Sequence, residues 1–181
     1  MAHDGHEHDD HHHHDAPHHQ HRVDSPSTVS TYLITCSDSR DAAKDESGAV
    51  MRALLEGAGH SVAGQAVILD EAAALKAELE KALSLGARAI AISGGTGLSR
   101  RDVTIETLTP MFEKTLDGFG ELFRHFSFDQ VGSAAMLSRA VAGSIKGAIV
   151  FALPGSPRAV ELAFKKLILP ELGHLVRELS R

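Results

Sequence analysis

The 181-residue sequence has no tryptophan, one tyrosine and one cysteine. A lone Cys36 excludes an intrachain disulfide framework and fits a reducing compartment, so the expected location is the cytoplasm. No stretch approaches the roughly 18 uninterrupted apolar residues that mark a membrane span. The first 25 residues have no apolar centre, which excludes a secretory signal. What is present is ordinary for a globular chain: 43% hydrophobic and 23% charged residues. That composition excludes uniform disorder and collagen-like repeats, and the length suits one domain.

The formal charge of −6 hides an uneven distribution. Residues 1–24 carry six acids (Asp4, Glu7, Asp9, Asp10, Asp15, Asp24) against Arg22 alone, whereas the rest holds 18 acids and 17 bases. No basic stripe advertises nucleic-acid binding. Ten of the 13 histidines lie in the first 21 residues. With almost no apolar side chains, this segment cannot offset the entropy of ordering, and residues 1–27 are expected to be a disordered tail. Its imidazoles and carboxylates are chemically able to chelate Zn²⁺, Ni²⁺ or Cu²⁺, with or without a biological use.

Residues 28–181 read as one α/β domain. Val29–Thr35 is short, β-branched and apolar, the pattern of a buried strand. Val50, Met51, Leu54, Leu55 and Ala58 then recur at helical spacing, and Gly57 and Gly59 close that helix. Val62–Leu69 is a second strand. Ala72, Leu75, Leu79 and Leu83 make a second helix that stops at Gly86. Ala87–Ile92 is a third strand, apolar enough to be buried on both faces. This alternation predicts a mostly parallel sheet covered by helices. Further helices are predicted over Thr104 to about Lys114 and Phe119–Phe126. Strands at Ala140–Ser144 and Ala148–Leu153 form an antiparallel hairpin through Lys146-Gly147. A last helical region, Ser156 to about Leu179, is expected to break at Pro170.

Ligands of open α/β sheets bind outside the carboxyl ends of the strands, so the residues following each strand form the candidate site. These are Ser37, Asp38, Ser39 and Arg40; Asp70 and Glu71; Ser93-Gly94-Gly95-Thr96-Gly97; and Pro154-Gly155-Ser156-Pro157. Each has a plainer reading. Asp70 and Ser156 suit helix caps, and the glycines suit turns. Together, glycine-rich turns that expose N–H groups bind phosphate, and Mg²⁺ reconciles phosphate with nearby carboxylates such as Asp70 and Asp102. The pattern points to phosphoryl or nucleotidyl transfer without naming the substrate. Cys36 reads as a buried inert thiol. His60, His125 and His174 show no metal-ligand spacing. Arg139 and Arg158 read equally as phosphate contacts and as surface charges. The cluster Phe119, Leu122, Phe123, Phe126 and Phe128 reads as core or subunit interface.

The segments GGTGLSRRDVT (Gly94–Thr104), GFGELFR (Gly118–Arg124), LSRAVAG (Leu137–Gly143) and ALPGSPRAV (Ala152–Val160) resemble the MoaB/MogA family of molybdenum cofactor biosynthesis proteins. ITCSDSR (Ile34–Arg40), DESG (Asp45–Gly48), Gly59-His60 and Leu69–Glu71 follow the family's order. The resemblance spans residues 29–180, and the GFGELFR and GSP forms lie nearer the MoaB branch. It implies a three-layer αβα molybdopterin-binding fold and a homotrimer or a hexamer of trimers. It also implies Mg²⁺-dependent reaction of ATP with molybdopterin to give adenylyl-molybdopterin and pyrophosphate. The family's functional aspartates fall on Asp70 and Asp102, which would also hold Mg²⁺ through the phosphates. Its glycine loop falls on Gly94, Gly95, Thr96 and Gly97, and its PGSP loop on Gly155 and Ser156; Ser37 and Asp38 complete the expected phosphate edge. Glu71 stands where the family often has a second aspartate, and Arg100 where it often has proline. A non-catalytic molybdopterin-binding homologue and a metal-handling protein built on the histidine segment are the alternatives.

Overall fold

The computed structural model describes residues 25–38 and 45–181. The expected tail, up to residue 24, and Ser39 and Arg40 of the first loop lie outside the described residues. Six strands, β1 (Ser30–Cys36), β2 (Ser61–Ile68), β3 (Ala89–Ser93), β4 (Lys114–Thr115), β5 (Val141–Ile145) and β6 (Ala148–Leu153), form one sheet in the order β2-β1-β3-β6-β5-β4. β2, β1, β3 and β6 are mutually parallel, and β5 is antiparallel to β6 and β4. The expected mixed sheet and its antiparallel hairpin are both present.

The helices are α1 (Glu46–Gly57), α2 (Ala72–Ser84), α3 (Thr104–Leu108), α4 (Asp117–Val131), α5 (Pro157–Ala163) and α6 (Leu169–Glu178). Strand side chains alternate between two cores. Leu33, Ala89, Ala91, Phe151 and Leu153 pack with residues of α1, α4, α5 and α6. Tyr32, Ile34, Ile90, Ile92 and Val150 pack with those of α2 and α3. Burial on both faces is why the central strands are apolar throughout. From β1 the chain steps to one side to reach β2 and then crosses back to β3. Right-handed crossovers in opposite directions therefore put α1 and α2 on opposite faces, giving three layers.

Three helical expectations are corrected. The helix predicted to reach Lys114 ends as α3 at Leu108 and a 3-10 turn at Thr109–Met111; Pro110 and an extended Phe112 turn the chain into β4, a strand too short to read. The helix predicted over Phe119–Phe126 runs the full length of α4, ending where Gly132 takes φ +60°. The last helix does not break at Pro170. A π turn at Phe164–Ile168 joins α5 to α6. The wider turn relaxes the backbone just before a proline ring that donates no hydrogen bond and crowds the preceding carbonyl. The phenylalanine cluster divides: Phe119 and Phe123 are buried, with Phe119 tilted against Phe151 at 5.2 Å, while Leu122 and Phe128 are exposed. No helix among the described residues is long and apolar enough to cross a membrane.

Two polar groups beside β1 behave differently. His60 accepts the Val29 N–H at Nδ1, 3.2 Å away, and burial lowers its pKa, which keeps the accepting neutral ring. Thr31, buried on β1, has no partner for its hydroxyl. An unsatisfied hydroxyl costs about 1 kcal/mol or more relative to an apolar group of the same shape. Thr31→Val is therefore expected to raise Tm by roughly 2–4 °C, the size effect of about 1 kcal/mol in a chain of this length. An unchanged or lower Tm in thermal unfolding contradicts the assignment.

Candidate functional site

The register sets the ends of the parallel strands level. Cys36 pairs with Ile68, Thr35 with Ser93, and Ser93 with Leu153. Every loop singled out in the sequence therefore leaves the sheet at one edge. The neighbours of β1 are β2 and β3, whose connections lead to opposite sides, so the crevice at this edge is a topological switch point. Gly94 closes it. At φ +94° its missing side chain would overlap the Cys36 carbonyl, and its N–H donates to the Leu153 carbonyl at 3.0 Å. The ends of β1, β3 and β6 are thus held in contact at a residue that must be glycine.

Asp70, Gly94 and Gly95 of the glycine loop, and Thr104 form one body. Gly95 has φ +63°, and a Cβ there would overlap both the Asp70 carboxylate and the Thr104 hydroxyl oxygen. Thr104 donates its N–H to the Gly95 carbonyl at 2.9 Å and its hydroxyl to the Gly94 carbonyl at 3.0 Å. Asp70 Oδ1 lies 3.4 Å from the Val103 N–H that it accepts. Asp102 folds back to accept the Ser99 N–H at 2.8 Å, and a Cβ on Gly97 would sit 2.8 Å from Asp102 Oδ2. Both expected carboxylates therefore press on loop glycines. The capping alternative fails for Asp70, because Glu71 occupies the N-cap of α2 without a side-chain bond. It holds for Ser156, which caps α5 by accepting the Ala159 N–H at 3.2 Å. Gly155 and Ser156 remain exposed at the same edge, as does Asp38 beside Arg101 at 3.1 Å. Ser37 donates its N–H to Ile68 at 2.9 Å. Glu71 and Arg100 are exposed.

Burial raises the pKa of Asp70, and the nearby Asp102 and Asp38 charges add to the rise; the Val103 hydrogen bond and Arg101 oppose it. A half-buried carboxylate with other negative charges near enough to raise its pKa is a place where a cation is welcome. No group of three or more His, Cys, Asp or Glu converges among the described residues. The donor set is thus two carboxylates with no protein cage, which fits Mg²⁺ held partly by substrate phosphates and water. Cys36, under this loop, has its pKa pushed up by burial to about 11 and is an inert thiol at neutral pH.

Two residues that hold the edge together were missed by pattern reading. Asp45 caps α1 through the Gly48 N–H at 2.8 Å, while its other oxygen accepts the Thr35 hydroxyl at 3.0 Å and the Gln65 amide at 3.1 Å. Next to it, Ser47 donates to the Gly155 carbonyl at 2.7 Å, tying α1 to the PGSP loop. An Asp followed three residues later by glycine at a helix start was the available signal. Arg139 donates Nε–H to the Thr96 carbonyl at 2.8 Å and an Nη2–H to Glu106 at 2.7 Å. Nothing local in the sequence announces a contact across 43 positions.

A family model described as a probable molybdopterin binding domain matches residues 28–174. The chain is 46% identical over 164 residues to "Molybdenum cofactor biosynthesis protein B" of Bacillus subtilis (strain 168), covering 90% of this chain and 96% of that one. It is 42% identical over 168 residues to the protein of the same name from Bacillus anthracis, covering 90% and 97%. Among solved structures, the tungsten cofactor synthesizing protein MoaB from Pyrococcus furiosus superposes with TM-score 0.80 at 35% identity, over 87% of this chain and all of that one.

The raised pKa of Asp70 makes a signed prediction. A carboxyl whose folded pKa lies above its unfolded value stabilises the fold while protonated, and that contribution is lost as pH rises through the carboxylate range. At pH 7 the ionised group therefore costs stability. Asp70→Asn keeps an acceptor for Val103 and removes the charge, so its Tm at pH 7 is expected to equal or exceed that of the unsubstituted chain, with the gap closing towards pH 4. Added MgCl₂ should stabilise only the unsubstituted chain. Melting curves across that pH range check both halves of the prediction; a lower Tm for Asp70→Asn at pH 7 contradicts the reading.

Proposed function

The chain belongs to the MoaB/MogA family of molybdenum cofactor biosynthesis proteins, and from that premise we propose that it adenylylates molybdopterin, using ATP and Mg²⁺ to give adenylyl-molybdopterin and pyrophosphate. The observation that carries this reading is the contact of both Asp70 and Asp102 with the glycine loop, where Gly95 and Gly97 have no room for a side chain. On this reading the two carboxylates hold a cation beside the backbone that binds phosphate.

In the proposed reaction an oxygen of the molybdopterin phosphate bonds to the α-phosphorus of ATP. The bond from that phosphorus to the β-phosphate oxygen breaks in line, and pyrophosphate leaves. Attacking and departing groups are all anionic, so positioning and charge neutralisation supply most of the catalysis. Asp70 and Asp102 are the residues that would hold Mg²⁺, which when bound offsets phosphate charge. In this proposal the glycine loop after Gly94, whose own N–H is held by Leu153, orients a phosphate, and the exposed Gly155–Ser156 turn receives phosphate oxygens. Cys36 is a bystander. The non-catalytic alternative keeps the phosphate-binding backbone and lacks turnover.

A homotrimer or a multiple of it belongs to the same proposal. Its support is the exposure of Leu122, Phe128, Val131, Met136 and Leu137 along α4 and the 3-10 segment after it, more apolar surface than one isolated helix leaves to water.

The test is product analysis after mixing the full chain with molybdopterin, ATP and MgCl₂. Stoichiometric adenylyl-molybdopterin and pyrophosphate are expected, and Asp70→Asn or Asp102→Asn should lower the rate by orders of magnitude while molybdopterin still binds. Molybdopterin binding without pyrophosphate release establishes the non-catalytic reading instead. Light scattering should give three subunits or a multiple; a monomer at micromolar concentration removes the assembly.

A further inference from the structure

The acidic edge has few fixed cations. Arg101 is exposed and engaged with Asp38. Arg139 differs: among the described residues it is the one side-chain cation hydrogen-bonded to the glycine loop, through the buried Thr96. Its fork is bound at Nε by the Thr96 carbonyl and at Nη2 by Glu106, whose own pKa this hydrogen bond lowers. A guanidinium has five N–H donors. Both on Nη1 and one on Nη2 are therefore left over, on a side chain still 27% exposed. These unused donors belong to a partly exposed guanidinium whose Nε is fixed on the carbonyl of a glycine-loop residue.

We propose that Arg139 is a phosphate-binding residue of this edge, pre-positioned by Thr96 and Glu106 so that its free N–H donors meet an oxygen of a polyphosphate seated on the Gly94–Gly97 backbone. Held at two points, the side chain has already lost much of the rotamer freedom that binding would otherwise cost it. Planar donors on a fixed guanidinium suit phosphate oxygens better than a lysine's point charge. Glu106 then has two effects in opposition: it orients the fork and divides its charge. The assignment rests on reading the edge as a phosphate site, but it does not require turnover or molybdopterin.

The sign of one substitution separates this role from a structural one. Pyrophosphate binding to the full chain is measured by calorimetry in MgCl₂ for the unsubstituted chain, Arg139→Gln and Glu106→Gln, with Tm recorded for each. Loss of a charge-assisted contact should weaken Arg139→Gln by about ten- to hundredfold. Glu106→Gln keeps a side-chain oxygen to accept the Nη2–H, so the fork stays oriented, but it no longer divides the guanidinium charge and should tighten binding several-fold. A strut predicts the opposite for Glu106→Gln, because loosening it would weaken binding as well. The proposal is overturned if Glu106→Gln weakens binding or leaves it unchanged, if folded Arg139→Gln binds normally, or if the unsubstituted chain does not bind pyrophosphate. Should Arg139→Gln fail to fold, Glu106→Gln on an exposed position still decides. A chain that binds pyrophosphate as described and forms no adenylyl-molybdopterin loses the proposed reaction and keeps this residue assignment.

Discussion

No side chain fits between Gly95 and the pair Asp70 and Thr104, and the rest of the site follows from that exclusion. Asp70 arrives from the end of β2, Gly95 from the end of β3, and Thr104 opens α3. Close approach of these three segments brings a carboxylate against backbone whose φ of +63° an ordinary residue adopts only with strain. Any residue with a Cβ at position 95 would push Asp70 off the loop or pull α3 from the edge. Gly94 acts in the same way against the end of β1. Consecutive glycines therefore define the depth of the crevice rather than merely turning the chain.

That packing has an electrostatic consequence. Asp70 sits half-buried with Asp102 and Asp38 near it, and burial first, then the neighbouring negative charges, push its pKa up. A fold that needed only a turn here would have no reason to gather acids around it. In the proposed reaction a cation and a polyanion enter together, each making the other's site acceptable. Structural bonds elsewhere at the edge satisfy their own groups: Asp45 is saturated by Gly48, Thr35 and Gln65, and Thr104 by Gly94. Asp70 has a single long bond to Val103. Asp70, which the proposed function assigns to the cation, is thus less satisfied than Asp45 or Thr104.

What could be read from the sequence was what depends on short-range pattern. β1 and β3 declared themselves because burial on two faces leaves no room for polar residues, and α1 and α2 because one face is apolar. Position after a strand located Asp70, Gly94 and Ser156, since sheet geometry carries all parallel strand ends to one edge. What escaped was decided by contacts distant in sequence. Two-residue β4 exists only because β5 offers it partners at Ser144 and Gly143. The last helix survives Pro170 because a π turn relaxes the chain before it, which a propensity rule for proline does not foresee. Asp70 as a helix cap was excluded only by seeing Glu71 in the capping position. Arg139 read equally as a phosphate contact and as a surface charge, and its bond to Thr96, 43 positions away, was not legible in the sequence.

The chain also links surface to site over a very short path. Val131, Met136 and Leu137 expose apolar side chains, and two residues later Arg139 reaches the carbonyl of Thr96. The 3-10 segment carrying Met136 and Leu137 packs on α4, so its position and that of Arg139 are not independent. A subunit that covered those side chains would restrict the segment and with it the guanidinium on the glycine loop. The apolar exposure and the buried loop are in this sense two ends of one restraint, running from Leu137 through Arg139 to Thr96 and from there to the glycines against Asp70.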